Sequence, residues 1–275
     1  ATGLVASREH FKSLLAQAVA LEIGSGAEIL AGNTRPQKPV KPLYVDYESD
    51  EAAFTSRLAA LCRGAAMPLQ PYIGYRQMRT ALADAAGGLR DEIASEGYGC
   101  VIIDSMSAAI GGPLTEDDSV NAFYSAIGLL GVPTLVLAHK SDESDRKGRA
   151  RFFGSTMSEN RVRMAWHAQR AVQGAEVVWE CFKDNNGRSR GDRLGFRIDV
   201  EKQGAEEAEV LWSVRIGAVR PDTVTVALPR NATMADEAEA VLAETGPLSV
   251  KELADLVGKP VESMRTTLRR STSRF

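Results

Sequence analysis

The chain has 275 residues, 44% hydrophobic and 25% charged, with 24 Gly and 11 Pro. That is ordinary globular usage, which excludes a collagenous, coiled-coil or mainly disordered protein, and the length suits one large core plus a small appendage. A net charge of -3 carries no global positive field, so any nucleic-acid contact has to come from a local basic patch.

The chain opens without an initiator Met on Ala1-Thr2-Gly3-Leu4-Val5-Ala6, which reads as a strand; upstream residues are expected to have been removed or lost. Continuous β-branched apolar runs follow at 43–47, 100–103 and 134–138, as in strands buried on both faces of a parallel sheet. Between them, 13–23, 50–62, 80–96 and 117–130 carry apolar residues at three- and four-residue spacing and are predicted helices. Strand and helix in alternation imply right-handed crossovers and a doubly wound α/β sheet, with ligands bound beyond the carboxyl ends of the strands. The stretch 141–151 is polar and reads as a mobile loop. After Gly174 the pattern changes to 177–182, 194–200, 210–216 and 223–228, predicted antiparallel strands that extend the sheet. Pro229-Arg230-Asn231 marks a break, giving an expected core over 1–230 and a second unit over 231–275. There, three short helices (232–244, 248–258 and 259–270) separated by Gly-containing turns suggest a helix-turn-helix or winged-helix module, with any wing cut off after Arg274 and Phe275.

Cys62, Cys100 and Cys181 are odd in number, widely spaced and flanked by apolar residues, unlike a disulfide framework or paired metal ligands, so a reducing cytoplasm is expected. No apolar run approaches the roughly 20 residues of a membrane helix, and no membrane partner is expected.

Four predicted strand ends carry polar residues suited to phosphate chemistry. Between the first strand and first helix lies Ser7-Arg8-Glu9-His10-Phe11-Lys12-Ser13-Leu14. A phosphate loop needs glycines for close backbone approach, a Lys for the β- and γ-phosphates and a hydroxyl for Mg²⁺. Lys12 and Ser13 have the right spacing, but Ala6 and Phe11 occupy both glycine positions, and a side chain where φ is positive costs on the order of 1 kcal/mol. Asp104 ends an apolar strand, where an Asp can hold Mg²⁺ through water or simply cap the following turn. Glu48 follows Val45-Asp46-Tyr47; it suits a residue that polarises attacking water, and with Asp50 it also suits the start of a helix. His139 ends the strand 134–138 and suits either a γ-phosphate contact or a structural role. All four positions fall on one predicted sheet edge.

With these residues the chain resembles the RecA-like ATPases, in the RepA-like group of hexameric plasmid and phage-type ATPases labelled AAA_25, over roughly 1–228. Val45-Asp46-Tyr47-Glu48, Gly74-Tyr75-Arg76-Gln77-Met78, Ile102-Ile103-Asp104-Ser105, Phe153-Gly154-Ser155 and Phe182-Lys183-Asp184-Asn185-Asn186-Gly187 are similar to segments of that group. The resemblance implies bound ATP and Mg²⁺: residues 7–14 cradle the phosphates, Ser13 and Asp104 hold the metal, Glu48 orients water and His139 senses the terminal phosphate. It also implies a hexameric ring or filament with nucleotide between subunits and a basic residue donated by the neighbour. Lys183 matches that position, with Arg188 and Arg190 as alternatives; the same segment also suits a solvated hairpin tip.

In the tail, Lys259, Arg265, Thr266, Arg269 and Arg270 suit a recognition helix contacting DNA, or else the surface of a protein-binding appendage. The expected activity is ATP hydrolysis coupled to DNA transactions, as in a plasmid or phage replicative helicase. The alternatives are a nucleotide-gated DNA-binding regulator with little hydrolysis, favoured by the missing glycines, and a KaiC-like signalling ATPase.

Overall fold

The computed structural model describes residues 1–6, 11–30, 38–139, 156–171, 174–204, 210–226 and 233–271. Strands β1 (Thr2–Ala6), β2 (Pro42–Asp46), β3 (Gly74–Gln77), β4 (Cys100–Asp104), β5 (Thr134–His139) and β6 (Met164–Arg170) run parallel. Strands β7 (Glu176–Asp184), β8 (Arg193–Gln203) and β9 (Val210–Val219) continue the sheet antiparallel, in the order β3-β2-β4-β5-β1-β6-β7-β8-β9. This is the mostly parallel α/β sheet with antiparallel extension that the sequence predicts.

Successive strand residues serve opposite faces. Leu4, Ala6, Tyr44, Ile102 and Leu137 pack with helices α1 (Lys12–Ser25) and α2 (Glu51–Gly64). Val5, Leu43, Val45, Val101, Ile103 and Val136 pack with α3 (Leu82–Glu96), α4 (Met106–Ala109) and α5 (Asp117–Leu130). Burial on both faces explains why the central strands read as continuous apolar runs.

The antiparallel strands belong to the first of these layers. Trp179, Phe196, Ile198, Val214 and Ile216 join the cluster that contains the apolar residues of α1 and α2. Helix α1 is buried on nearly all sides, its leucines and alanines together with Lys12, Gln17 and Glu22. The Glu22 carboxylate is satisfied inside by the Ile29 and Leu30 amides at 2.9 and 2.8 Å. The last turn of α2 meets β9 so closely that a Cβ on Gly64 would lie 1.8 Å from the Val214 carbonyl oxygen. Arg63, just before it, donates to the Trp212 and Leu211 carbonyls and stacks its guanidinium 4.4 Å from the Trp212 ring centroid.

Three expectations change. Strands β3 and β6 went unread because their sequences, GYRQ and MAWHAQR, are short or polar and only partly buried. Over 223–226, the described part of the strand expected over 223–228, no strand forms: Pro221–Thr223 makes a 3₁₀ turn, closed by the Thr223 hydroxyl on the Arg220 carbonyl at 2.8 Å. Val226 makes only an isolated bridge to Ala171, and 227 and 228 lie outside the described residues, as does the polar stretch 141–151.

Beyond the sheet and α6 (Thr156–Arg161) come α7 (Met234–Thr245), α8 (Val250–Val257) and α9 (Val261–Arg270). They bury Ala238, Leu253, Ala254 and Met264 in a small core of their own. Ser249 and Glu252 form a reciprocal capping box on α8, and Gly258 ends that helix with φ of 68°. Three helices are present, and no wing follows α9 among the described residues. No described helix is long and apolar enough to cross a membrane.

Candidate active site

Strand register sets the site. Ala6 pairs with His139 and Ala168, and Asp46 with Asp104 and Gln77, so β1, β2, β4, β5 and β6 present their carboxyl ends along one edge. Lys12 and Ser13 open α1 on that edge. Ser7, Arg8, Glu9 and His10 lie outside the described residues.

Phe11 caps α1 with φ of 56° and ψ of 20°, the left-handed conformation that a phosphate-loop glycine adopts freely and an aromatic residue rarely does. Its ring packs against the α1 core cluster, with the Arg170 guanidinium 5.2 Å from its centroid. The chain thus meets the backbone requirement that the sequence seemed to violate, and the ring's packing offsets the local strain. A direct comparison isolates the backbone term. Phe11→Gly should keep nucleotide binding, whereas Phe11→Val, whose β-branch opposes positive φ, should weaken it roughly ten-fold further. Calorimetric titration of both variants checks this, and equal affinities would show that no left-handed residue is needed.

Lys12 is buried, and among the described residues its ammonium donates to the Ala6 and Ala138 carbonyls, each at 3.3 Å, and to His139 Nδ1 at 2.9 Å. An ammonium only donates, so His139 Nδ1 accepts, and the network assigns the ring proton to Nε2. That nitrogen faces Glu48 Oε1 at 3.5 Å. The Ser105 hydroxyl donates to the same Glu48 oxygen and lies 2.9 Å from the Ser107 hydroxyl. Lys12, His139, Glu48 and Ser105 therefore form one polar chain across the carboxyl ends of β1, β5, β2 and β4.

The His139 contact is the main cause holding the Glu48 carboxyl down at about 2; Ser105 and the charge of Lys12 add to it, and burial opposes it. Glu48 is not the cap of α2. That role falls to Asp50, whose side chain accepts from the Ala53 amide at 2.8 Å, so the two carboxylates that the sequence left ambiguous separate cleanly. Asp46 shapes the turn between them, Oδ1 accepting from the Glu48 and Ser49 amides at 2.9 and 2.8 Å.

Asp104 is likewise no cap. It is buried, takes a hydrogen bond from the Tyr44 hydroxyl at 2.7 Å and is hydrogen-bonded by Ser13. Burial raises its pKa; these two bonds work against the rise, and nearby Glu48 and Asp46 add to it. A buried carboxylate under such pressure, beside a hydroxyl at a helix start, is suited to a cation. The donor set of Lys12, the amino end of a 14-residue helix with no acidic residue in its first turn, Ser13 and Asp104 fits a triphosphate with Mg²⁺.

Lys183 is not part of this cluster. Residue pairs Thr2 with Met164, and Ala165 with Lys183, place it at the amino end of β1, the opposite edge of the sheet. Its ammonium donates to the Glu159 and Asn160 carbonyls at the end of α6. Arg188 and Arg190 are exposed beyond it, in a tip folded around Asp184, which accepts from the Asn186, Arg188 and Ser189 amides. On α9 and just before it, Lys259 pairs with Glu237 at 3.7 Å, Arg265 with Glu262 at 2.5 Å, and the Thr266 hydroxyl bonds the Glu262 carbonyl at 2.9 Å. Arg269 and Arg270 are exposed on the last turn. Tyr44 and Ser105 escaped sequence reasoning: one sits inside an apolar run and the other reads as a turn residue.

A family profile described as an AAA domain, AAA_25, matches residues 1–145. Among solved structures, the fold is similar to a RadB recombinase, with a TM-score of 0.52 and 16% identity over 72% of this chain and 86% of that one. It is also similar to a KaiC-like protein from Pyrococcus horikoshii OT3, with a TM-score of 0.50 and 11% identity over 77% of this chain and 88% of that one. A third is the flagellar accessory protein FlaH from Methanocaldococcus jannaschii, with a TM-score of 0.50 and 13% identity over 80% of this chain and 88% of that one. No curated protein sequence matches the chain.

Proposed function

The chain belongs to the AAA_25 family of RecA-like P-loop ATPases, and from that premise we propose that it hydrolyses ATP to drive transactions on DNA, as a plasmid- or phage-type replicative helicase or related motor. The observation that carries the catalytic part is the continuous polar chain from Lys12 through His139 to Glu48, beside the Ser13–Asp104 pair.

Lys12 exchanges its carbonyl and imidazole acceptors for phosphate oxygens. Ser13 and Asp104 would hold Mg²⁺, which would neutralise charge on the phosphates. Glu48 accepts from the attacking water and orients it. At a pKa of about 2 it is a weak proton acceptor, so full basicity requires its His139 and Ser105 contacts to loosen. Loss of Lys12 from Nδ1 frees His139 to report the terminal phosphate to Glu48.

Assembly into a ring or filament accounts for Lys183, Arg188 and Arg190 at the edge away from their own chain's site: a neighbour's copy then supplies the cation. Lys183 has to leave the α6 carbonyls to serve, whereas the two arginines are already exposed. The basic end of α9, with Lys259, Arg265, Thr266, Arg269 and Arg270, is the proposed DNA contact, Arg269 and Arg270 being the most available. The free thiols of all three cysteines agree with a cytoplasmic setting.

The second reading, a nucleotide-gated DNA-binding regulator with little hydrolysis, is favoured by the full set of acceptors already around Lys12. ATP turnover measured with and without DNA, alongside size-resolved mass, separates the two. DNA-stimulated turnover by an oligomer that weakens steeply with salt supports the motor. ATP-dependent DNA retention with background turnover supports the regulator, and a strict monomer indifferent to DNA overturns both.

A further inference from the structure

Tyr44 stands in the middle of β2, in the layer that faces α1, two residue pairs short of the site: it is register-paired with Ile102, two residues before Asp104. A tyrosine there serves packing with its ring, and the ring is held firmly. Its centroid lies 5.1 Å from that of Phe54 on α2, and Phe54 in turn stacks at 4.4 Å on Tyr75 of β3. Packing needs no hydroxyl, yet the Tyr44 hydroxyl runs forward along the sheet to donate to Asp104 Oδ2 at 2.7 Å, both residues being buried. Ser13 bonds the same carboxylate from the start of α1.

We propose that Tyr44 is a positioning residue of the nucleotide site: its hydroxyl pins one oxygen of Asp104 and thereby fixes the rotation of the carboxylate toward Ser13 and the Mg²⁺ they share. This rests on the reading of the site as one for Mg-ATP. The rigid wall of Phe54 and Tyr75 behind the ring makes the pin stiff. The carboxylate plane is then set from β2, with Phe54 of α2 and Tyr75 of β3 behind the ring. Outer partners of a metal-binding carboxylate act in this way elsewhere, and their removal costs on the order of 10–100-fold in metal affinity.

Tyr44→Phe keeps the ring and deletes the pin. A fluorescent ATP analogue is titrated onto the full chain with Mg²⁺ absent and then at rising Mg²⁺, and melting is followed without metal or nucleotide. The Mg²⁺ needed for half-maximal tightening should rise about ten-fold, with metal-free nucleotide affinity unchanged. In an Asp104→Asn background the same substitution should have no further effect on the Mg²⁺ dependence, because Tyr44 acts only through that carboxylate. A Mg²⁺ requirement equal to that of the wild type overturns the inference, as does equal weakening with and without metal or a fall in melting temperature alone. A wild-type chain that binds no nucleotide overturns the ATP reading as well, so the two failures are distinct.

Discussion

Lys12→Ala should lower ATP affinity by on the order of 10²–10³-fold and take turnover to background, the largest effect of any single substitution. Three facts set the size. The ammonium is buried, it is the one positive side chain among the described residues of the polar chain, and it stands at the positive end of α1. A charge placed there acts on phosphate with little water to screen it. The substitution also strands the Ala6 and Ala138 carbonyls and His139 Nδ1, so some stability is lost even without nucleotide. Melting of the free variant measures that part, and calorimetric titration of a still-folded sample measures the rest. A loss below three-fold would mean that Lys12 serves only to tie β1, α1 and β5 together.

Glu48→Gln should leave ATP bound and slow hydrolysis by roughly 10²–10⁴-fold. The amide keeps an oxygen for the Ser105 hydroxyl but cannot take a proton or draw one from water with the force of a carboxylate. Single-turnover measurement after saturating binding separates the two steps, and undiminished hydrolysis would remove Glu48 from the chemistry. The pH behaviour has a definite sign. Because the folded-state pKa, about 2, lies below the ordinary value of 4.5, the stabilisation from ionised Glu48 is complete above that ordinary value and disappears as pH falls through about 2. The side chain is 40% exposed, so screening keeps this contribution small. Acid sensitivity above pH 4.5 therefore has to come from other groups.

Two pairs of residues, Glu48 with Asp50 and Lys12 with Lys183, separate in the fold. Asp50 and Glu48 are both acids at the end of a strand and the start of a helix, and either could cap. The backbone gives the cap to Asp50, three residues before the Ala53 amide, and turns Glu48 toward β5. Lys183 carries the same charge as Lys12 and stands near the end of a strand, but β7 runs against β6. The reversal moves its ammonium to the far edge of the sheet, where it serves the carbonyls of α6. Charge and strand position alone do not distinguish such pairs; strand direction does.

The sequence by itself determined what depends on neighbours a few residues away. The apolar runs at 43–47, 100–103 and 134–138 became β2, β4 and β5 because strands buried on both faces need unbroken side-chain cover. The spacing of Lys12 and Ser13 after β1 placed them at the start of a helix on the edge shared by Asp104, Glu48 and His139. The tertiary structure alone decided what depends on partners far along the chain. Phe11 takes a left-handed backbone because its ring is held by the core and by Arg170, a residue 159 positions later. Tyr44 looks like any core tyrosine until β4 brings Asp104, 60 positions on, to its hydroxyl. Helix α1 shows its apolar spacing in the sequence, but only the packed structure buries Lys12, Gln17 and Glu22 together with its leucines and alanines. Local periodicity records which way a side chain points; only register and packing fix what it meets.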